Sequence, residues 1–238
     1  MSARWIVVLT ASLLMIVGVA TSVLAPTLVP TLMPVGPAGI ITEADDEFGS
    51  VFVYEVGDDG TISPEPTDAL TQKVWDLFTR TVGPEFVATS VQEFLVGTAP
   101  QSDTLAYVYR GKGPDTWVFA ANLAHSRDHD LLVATLIHEY GHIISLSPEE
   151  FGPRTTACPT VALDEGCLND GAELLAFNQR FWSTYGSDAP AADSVDEDAA
   201  WEFYLEHEDD FVSDYAATNV VEDFAESFST FVLEPQPT

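Results

Sequence analysis

One five-residue run, His138-Glu139-Tyr140-Gly141-His142, constrains this chain more than any other feature. It lies in an apolar stretch, with Leu131, Leu132, Leu136 and Ile137 before it and Ile143 and Ile144 after it. Residues four apart share one face of a helix, so both imidazoles can reach a single metal ion. Glu139 then stands beside the first imidazole, within reach of water at that ion. These residue types at this spacing are those of a zinc hydrolase. Asp128 to Leu146 reads as the helix, with Ser126 and Asp128 as N-cap candidates. Its apolar residues run almost all round, which places it in a core. Two imidazoles and a carboxylate buried there need partners, because an unpaired buried polar group is costly. A pair of satisfied core histidines is the alternative, but it leaves the Glu139 charge without a reason. Gly141 gives up about 1 kcal/mol of helix propensity against Ala, which a close packing neighbour or substrate backbone would explain.

Upstream, Val51–Val56 reads as a strand followed by a turn at Gly57-Asp58-Asp59-Gly60. Pro66 to Thr81 has the spacing of an amphipathic helix through Leu70, Val74, Trp75, Leu77 and Phe78. Three strand-like runs follow: Val91–Val96, Thr104–Arg110 and Thr116–Ala121. Gly111-Lys112-Gly113-Pro114 joins the last two as a hairpin. Downstream, residues 147–168 read as a loop and Asp170–Trp182 as a helix. Gly186–Asp198 reads as an acidic surface loop and Ala199–Leu205 as a further helix. His207, in the run Glu206-His207-Glu208-Asp209-Asp210, reads as solvated. His125 and His129 read as surface or capping residues, with a place in the cleft as the alternative.

The N-terminal residues carry export signals. Arg4 precedes an apolar core at Ile6–Ala20, and Val23-Leu24-Ala25 ends in a small residue before Pro26. Residues 1–25 therefore read as a secretory signal peptide or, uncleaved, as a membrane anchor. Pro26, Pro30, Pro34 and Pro37 argue against a spanning helix continuing beyond it. Residues 26–47, Pro-rich and then acidic, read as a linker or short pro-segment. Residues 48–238 are long enough for one domain with a real core. Cys158 and Cys167 suit an exported protein and can staple one loop. Their spacing is wrong for a zinc knuckle, so a disulfide is the preferred reading.

Charge narrows the function classes. The chain has 38 acidic and 8 basic residues, a net charge of −30. This excludes a general nucleic-acid binder, which needs a basic footprint. It predicts high solubility and a self-repulsion that salt screens. The surplus also favours basic substrates, although a solvated acidic surface without a partner is the simpler reading.

A catalytic zinc needs three protein ligands and one position left for water. An extended motif with Gly at 145 and His at 148 would supply the third, but the chain has Ser145 and Pro148. A glutamate on a second helix is the common alternative. Glu165 and Glu173 are candidates, as are Glu222 and Glu226, four apart on a helix that Asn219 can cap.

The segment Tyr215-Ala216-Ala217-Thr218-Asn219-Val220-Val221-Glu222-Asp223-Phe224-Ala225-Glu226, following the first motif, resembles the zinc peptidase domain of anthrax lethal factor and its bacterial relatives, which are gluzincins. The resemblance covers about a tenth of the chain and rests on Tyr215, Ala216, Asn219, Glu222, Phe224, Ala225 and Glu226. It implies Glu222 as third zinc ligand, Tyr215 as the transition-state hydrogen-bond donor, and Glu226, with Asn219, as outer residues behind the ligands. No toxin role carries over with it. A small sheet followed by the motif helix is also what zincins look like, and Thr116–Ala121 then reads as an edge strand above the cleft, able to pair an extended peptide. The expectation is an α+β, zincin-like fold: a small mixed sheet packed on the motif helix, then a mainly helical C-terminal half. The expected function is an exported metallopeptidase that holds one Zn2+ on His138, His142 and Glu222, with Glu139 as base and Tyr215 as oxyanion donor. The alternative is an exported peptide-binding or zinc-stabilised module without catalysis.

Overall fold

The structure is a computed structural model that describes residues 40–113, 115–153 and 157–235. The signal peptide or anchor reading of residues 1–25 and the linker reading of 26–39 lie outside them. The chain forms an α+β fold. Its main sheet contains β1 (Ile41–Asp45), β2 (Gly49–Val56), β3 (Ile62–Ser63), β4 (Val91–Gly97), β5 (Ala106–Arg110) and β6 (Trp117–Asn122). The order is β1-β2-β4-β6-β5, with β3 attached to β2. β4 and β6 run parallel and the other pairs antiparallel, so the sheet is mixed.

This order corrects one expectation. The run Thr116–Ala121 is not an edge: β6 is interior, and β5 forms the rim. The burial pattern gives the reason. Every residue of β6 is buried, as a strand covered on both faces requires, whereas β5 is mostly half-buried. The acidic end of the supposed linker is likewise part of the sheet. β1 pairs with β2 in register from Ile41↔Val53 to Asp45↔Gly49. The hairpin tip then reaches over to β5. Asp45 accepts a hydrogen bond from the Tyr107 hydroxyl, and Glu47 Oε2 accepts one from Thr104 Oγ1 at 2.9 Å.

One face of the sheet packs on α1 (Ala69–Val82), with α2 (Pro84–Ser90) following it, and on α3 (His129–Ser145). Tyr54, Phe94, Val96, Phe119 and Ala121 alternate toward the helices and meet Val74, Trp75, Phe78, Leu132, Leu136 and Ile143. Phe78 stacks on Phe119 with ring centroids 4.0 Å apart. The other face holds Val51, Val53, Leu95, Val118 and Ala120 beneath Phe48. α1 starts three residues later than Pro66 because the Asp68 side chain accepts from the Leu70 and Thr71 N–H groups. α3 is the motif helix. Asp128 caps it, accepting from the N–H groups of Asp130 and Leu131, while Ser126 instead donates to the Asn122 carbonyl at 2.7 Å.

The C-terminal half is mainly helical. The region read as a loop after the motif contains a three-stranded sheet in the order β7-β9-β8, from β7 (Phe151–Gly152), β8 (Ala162–Leu163) and β9 (Gly166–Leu168). The Cys158–Cys167 disulfide closes it. α4 (Glu173–Phe177) continues as a wider π-turn over Asn178–Trp182, and α5 (Glu197–His207) and α6 (Val220–Leu233) complete the chain. Leu168, Leu174, Leu175, Trp182, Phe203, Val220 and Val221 form a second core. Among the described residues, no helix is long and apolar enough to cross a membrane.

Candidate metal centre

α3 and α6 cross at two small residues. A Cβ on Gly141 would lie 2.9 Å from Ala225 Cα and 3.2 Å from Ala225 Cβ, so only glycine permits this approach. The glycine that costs helix propensity therefore sets the distance between the two helices. One turn before Ala225, α6 delivers Glu222 toward the motif histidines.

The three side chains converge. The Nε2 atoms of His138 and His142 are 3.0 Å apart, and Glu222 Oε2 lies 3.2 and 3.3 Å from them. Glu222 Oε2 is buried and accepts no well-aligned hydrogen bond from the described residues. Two ring nitrogens and a carboxylate oxygen this close present three donor atoms that one cation could share. Tetrahedral zinc with bonds of about 2.0–2.2 Å spaces its ligand atoms roughly 3.3–3.5 Å apart. The observed triangle is within a few tenths of an ångström of that. Among the described residues, His138, His142 and Glu222 are the group of His, Cys, Asp or Glu side chains able to hold a metal ion. Glu165 and Glu173, the other candidate ligands, are exposed and stand outside it.

Glu226 stands behind His138. Its Oε1 accepts from His138 Nδ1–H at 2.8 Å, which leaves Nε2 as the nitrogen facing Glu222. Its Oε2 accepts from Ser213 Oγ at 2.7 Å. Both oxygens of Glu226 are thus engaged away from the triangle, and it is not a fourth ligand. Asn219 works at the backbone: its Oδ1 accepts from the N–H groups of Val221 and Glu222 at 2.8 and 2.9 Å. It caps α6 and fixes the turn carrying Glu222; its amide donates to the Ser194 carbonyl at 2.9 Å.

The electrostatics follow from the packing. Burial opposes charge on His138, yet the contacts with Glu222 and Glu226 outweigh it and push the pKa up to about 10 in the metal-free site. Burial likewise raises Glu222, but the two imidazoles hold it well below the usual carboxylate range. Glu139 is 5% exposed, and burial pushes its carboxyl up; the histidines and the Val108 N–H of β5 partly offset this. Tyr215 heads a short 3-10 turn, Tyr215–Thr218, with its ring 5.9 Å from that of His138. The residue as a whole is 47% exposed, and its hydroxyl lies close to Glu222. Burial, followed by the charges of Glu222 and Glu139, raises it far above an ordinary phenol.

The other histidines stand elsewhere. His125 Nε2 contacts the Ser102 carbonyl at 3.0 Å, and His129 is the exposed first residue of α3. His207 is half-buried rather than solvated, packed on Tyr185 and Phe203. Two residues escaped the sequence reading. Asp223, next to Glu222, is buried and accepts from Trp182 Nε1 at 2.7 Å, which ties the π-turn to α6. Ser213 is the other. Its place two residues before Tyr215, where a serine can cap the turn, was the available signal.

Compared with protein-family models, curated proteins and solved structures, the chain has no significant match to any of them.

Proposed function

We propose that this chain is an exported, zinc-dependent metallopeptidase of the gluzincin kind. The observation that carries the reading is the donor triangle of His138, His142 and Glu222 with the buried carboxyl of Glu139 beside it. A site that only stored zinc for stability would be closed by a fourth ligand, and Glu226 is turned away from that role. The sheet followed by the motif helix, and the Tyr215–Glu226 segment, support the resemblance to zincins.

Zinc held there supplies a Lewis acid that polarises a peptide carbonyl and acidifies water enough for attack near neutral pH. Glu139 takes one proton from the attacking water as its oxygen bonds to the carbonyl carbon. It then gives that proton to the nitrogen as the C–N bond breaks. Tyr215, kept protonated by its surroundings, donates to the carbonyl oxygen as negative charge develops there. The rim strand β5 passes Glu139 at Val108 and offers its outer backbone edge to an extended peptide. The acidic surplus favours basic segments.

The test is zinc content together with hydrolysis of an unbiased peptide library, at low and high salt, for wild type and Glu139→Gln. The expected result is about one zinc per chain in both and cleavage by wild type alone. Zinc in both with cleavage in neither would assign the chain to the peptide-binding or zinc-stabilised class. A wild type that takes up no zinc would end the metallopeptidase reading.

A further inference from the structure

The site contains one hydroxyl that joins parts coming from different segments. Ser213 lies outside α6 and two residues before Tyr215. Its Oγ donates to Glu226 Oε2 at 2.7 Å and accepts the Ala216 N–H at 3.0 Å. The first bond fixes the carboxylate whose other oxygen holds His138 Nδ1. The second ties down the 3-10 turn that begins with Tyr215 and has Asp214 at its N-cap. A carboxylate bonded through one oxygen can still swing about its side-chain torsions; bonded through both, it has one orientation, and the imidazole behind it inherits that orientation. The same Oγ sets where the Tyr215 turn sits relative to α6.

We propose that Ser213 is a positioning residue of the metal centre: through Glu226 it aims His138 at the metal, and through the Ala216 N–H it holds Tyr215 in step with that ligand. The inference rests on the zinc site proposed above. It assigns Ser213 no contact with substrate or metal. Threonine keeps a hydroxyl at the same atom, so Ser213→Thr preserves both bonds, whereas Ser213→Ala removes both.

The experiment measures zinc affinity by chelator competition for wild type, Ser213→Ala, Ser213→Thr, Glu226→Ala and the Ser213→Ala/Glu226→Ala double variant, each checked for native circular dichroism. Residues behind a metal ligand typically contribute about 10–100-fold in affinity. Ser213→Ala is expected to bind zinc about 10-fold more weakly, and Ser213→Thr to stay within about 2-fold of wild type. Because Ser213 acts through Glu226, the double variant is expected to lose no more than Glu226→Ala alone. At saturating zinc, Ser213→Ala is still expected to show a lower kcat, because the Tyr215 turn has lost the bond from the Ala216 N–H to Ser213. Wild-type affinity in Ser213→Ala, no rescue by threonine, or multiplied losses in the double variant would each overturn the proposal. If Ser213→Ala shows the affinity loss but wild type cuts no peptide, the peptidase reading falls and the positioning role stands. A wild type without zinc overturns both.

Discussion

Replacing Gly141 by alanine tests whether the crossing of α3 and α6 sets the site. In an exposed helix this change adds about 1 kcal/mol of stability through propensity. Here the new methyl would sit 2.9 Å from Ala225 Cα, 3.2 Å from Ala225 Cβ and 3.5 Å from Phe228 Cδ1. The nearest atom is helix backbone, which cannot rotate away as a side chain would, so α6 itself must move. Overpacking costs about 1–3 kcal/mol, and an unyielding backbone neighbour puts this case at the upper end; less the propensity gain, the expected net loss is about 1–2 kcal/mol. The same movement carries Glu222 away from two nitrogens that it approaches to 3.2 and 3.3 Å, so zinc affinity should fall along with stability. Urea unfolding of the metal-free chain gives the first quantity, and chelator competition gives the second. An alanine variant about 1 kcal/mol more stable than wild type, the exposed-helix outcome, would refute the reasoning. It would mean the helices separate freely and Gly141 does not set their distance.

Two further changes probe the site's surroundings. Asp223→Ala strands the Trp182 N–H and the Ser227 hydroxyl and is expected to lower stability by about 1–3 kcal/mol in denaturant melts, whereas Asp223→Asn, which keeps an acceptor, should lose less; equal losses would show that these bonds contribute little. In chelator, the pKa of folded His138 is raised from 6.5 to about 10, so its stabilising contribution is complete below about 6.5 and disappears as pH rises through about 10. The urea-midpoint advantage of wild type over His138→Gln should therefore shrink across that range, and an advantage that grows with pH would contradict the assigned contacts.

The motif helix was legible because its signals are local: an Asp cap, a continuous apolar run and two histidines one turn apart. Glu222 was not local. It is brought to His138 by a helix crossing, and only the segment around it, with its Asn cap and its resemblance to a known peptidase domain, singled it out from other glutamates. The mistaken edge strand has a plain physical cause. Position in a sheet depends on which strands pair, and Thr116–Ala121 follows the hairpin turn just as an outer strand would; only complete burial of Trp117–Asn122 marks it as interior. β7, β8 and β9 are two or three residues long, too short to display a period of two. Asp223 and Ser213 each bond to a residue far along the chain, 41 and 13 positions away, and no periodic pattern records such a pair.

The two motifs carry more than ligands. In His138-Glu139-Tyr140-Gly141-His142 the fourth residue is small, and in Glu222-Asp223-Phe224-Ala225-Glu226 the fourth is small as well. Gly141 and Ala225 are the residues that touch. Each motif thus contains its chemical groups and, between them, the packing surface that brings those groups within bonding distance of the other helix. Glu222 and Glu226 lie on either side of the contact: the first completes the donor triangle, and the second holds the back of His138. A glutamate at the right helical position on a helix lacking the small residue would stand too far away to complete the triangle. The spacing of the small residue relative to the carboxylates is therefore as much a part of the proposed metal site as the carboxylates themselves. Enlarging Ala225, which bears on Gly141 from the opposite side, should weaken zinc binding in the same direction as Gly141→Ala.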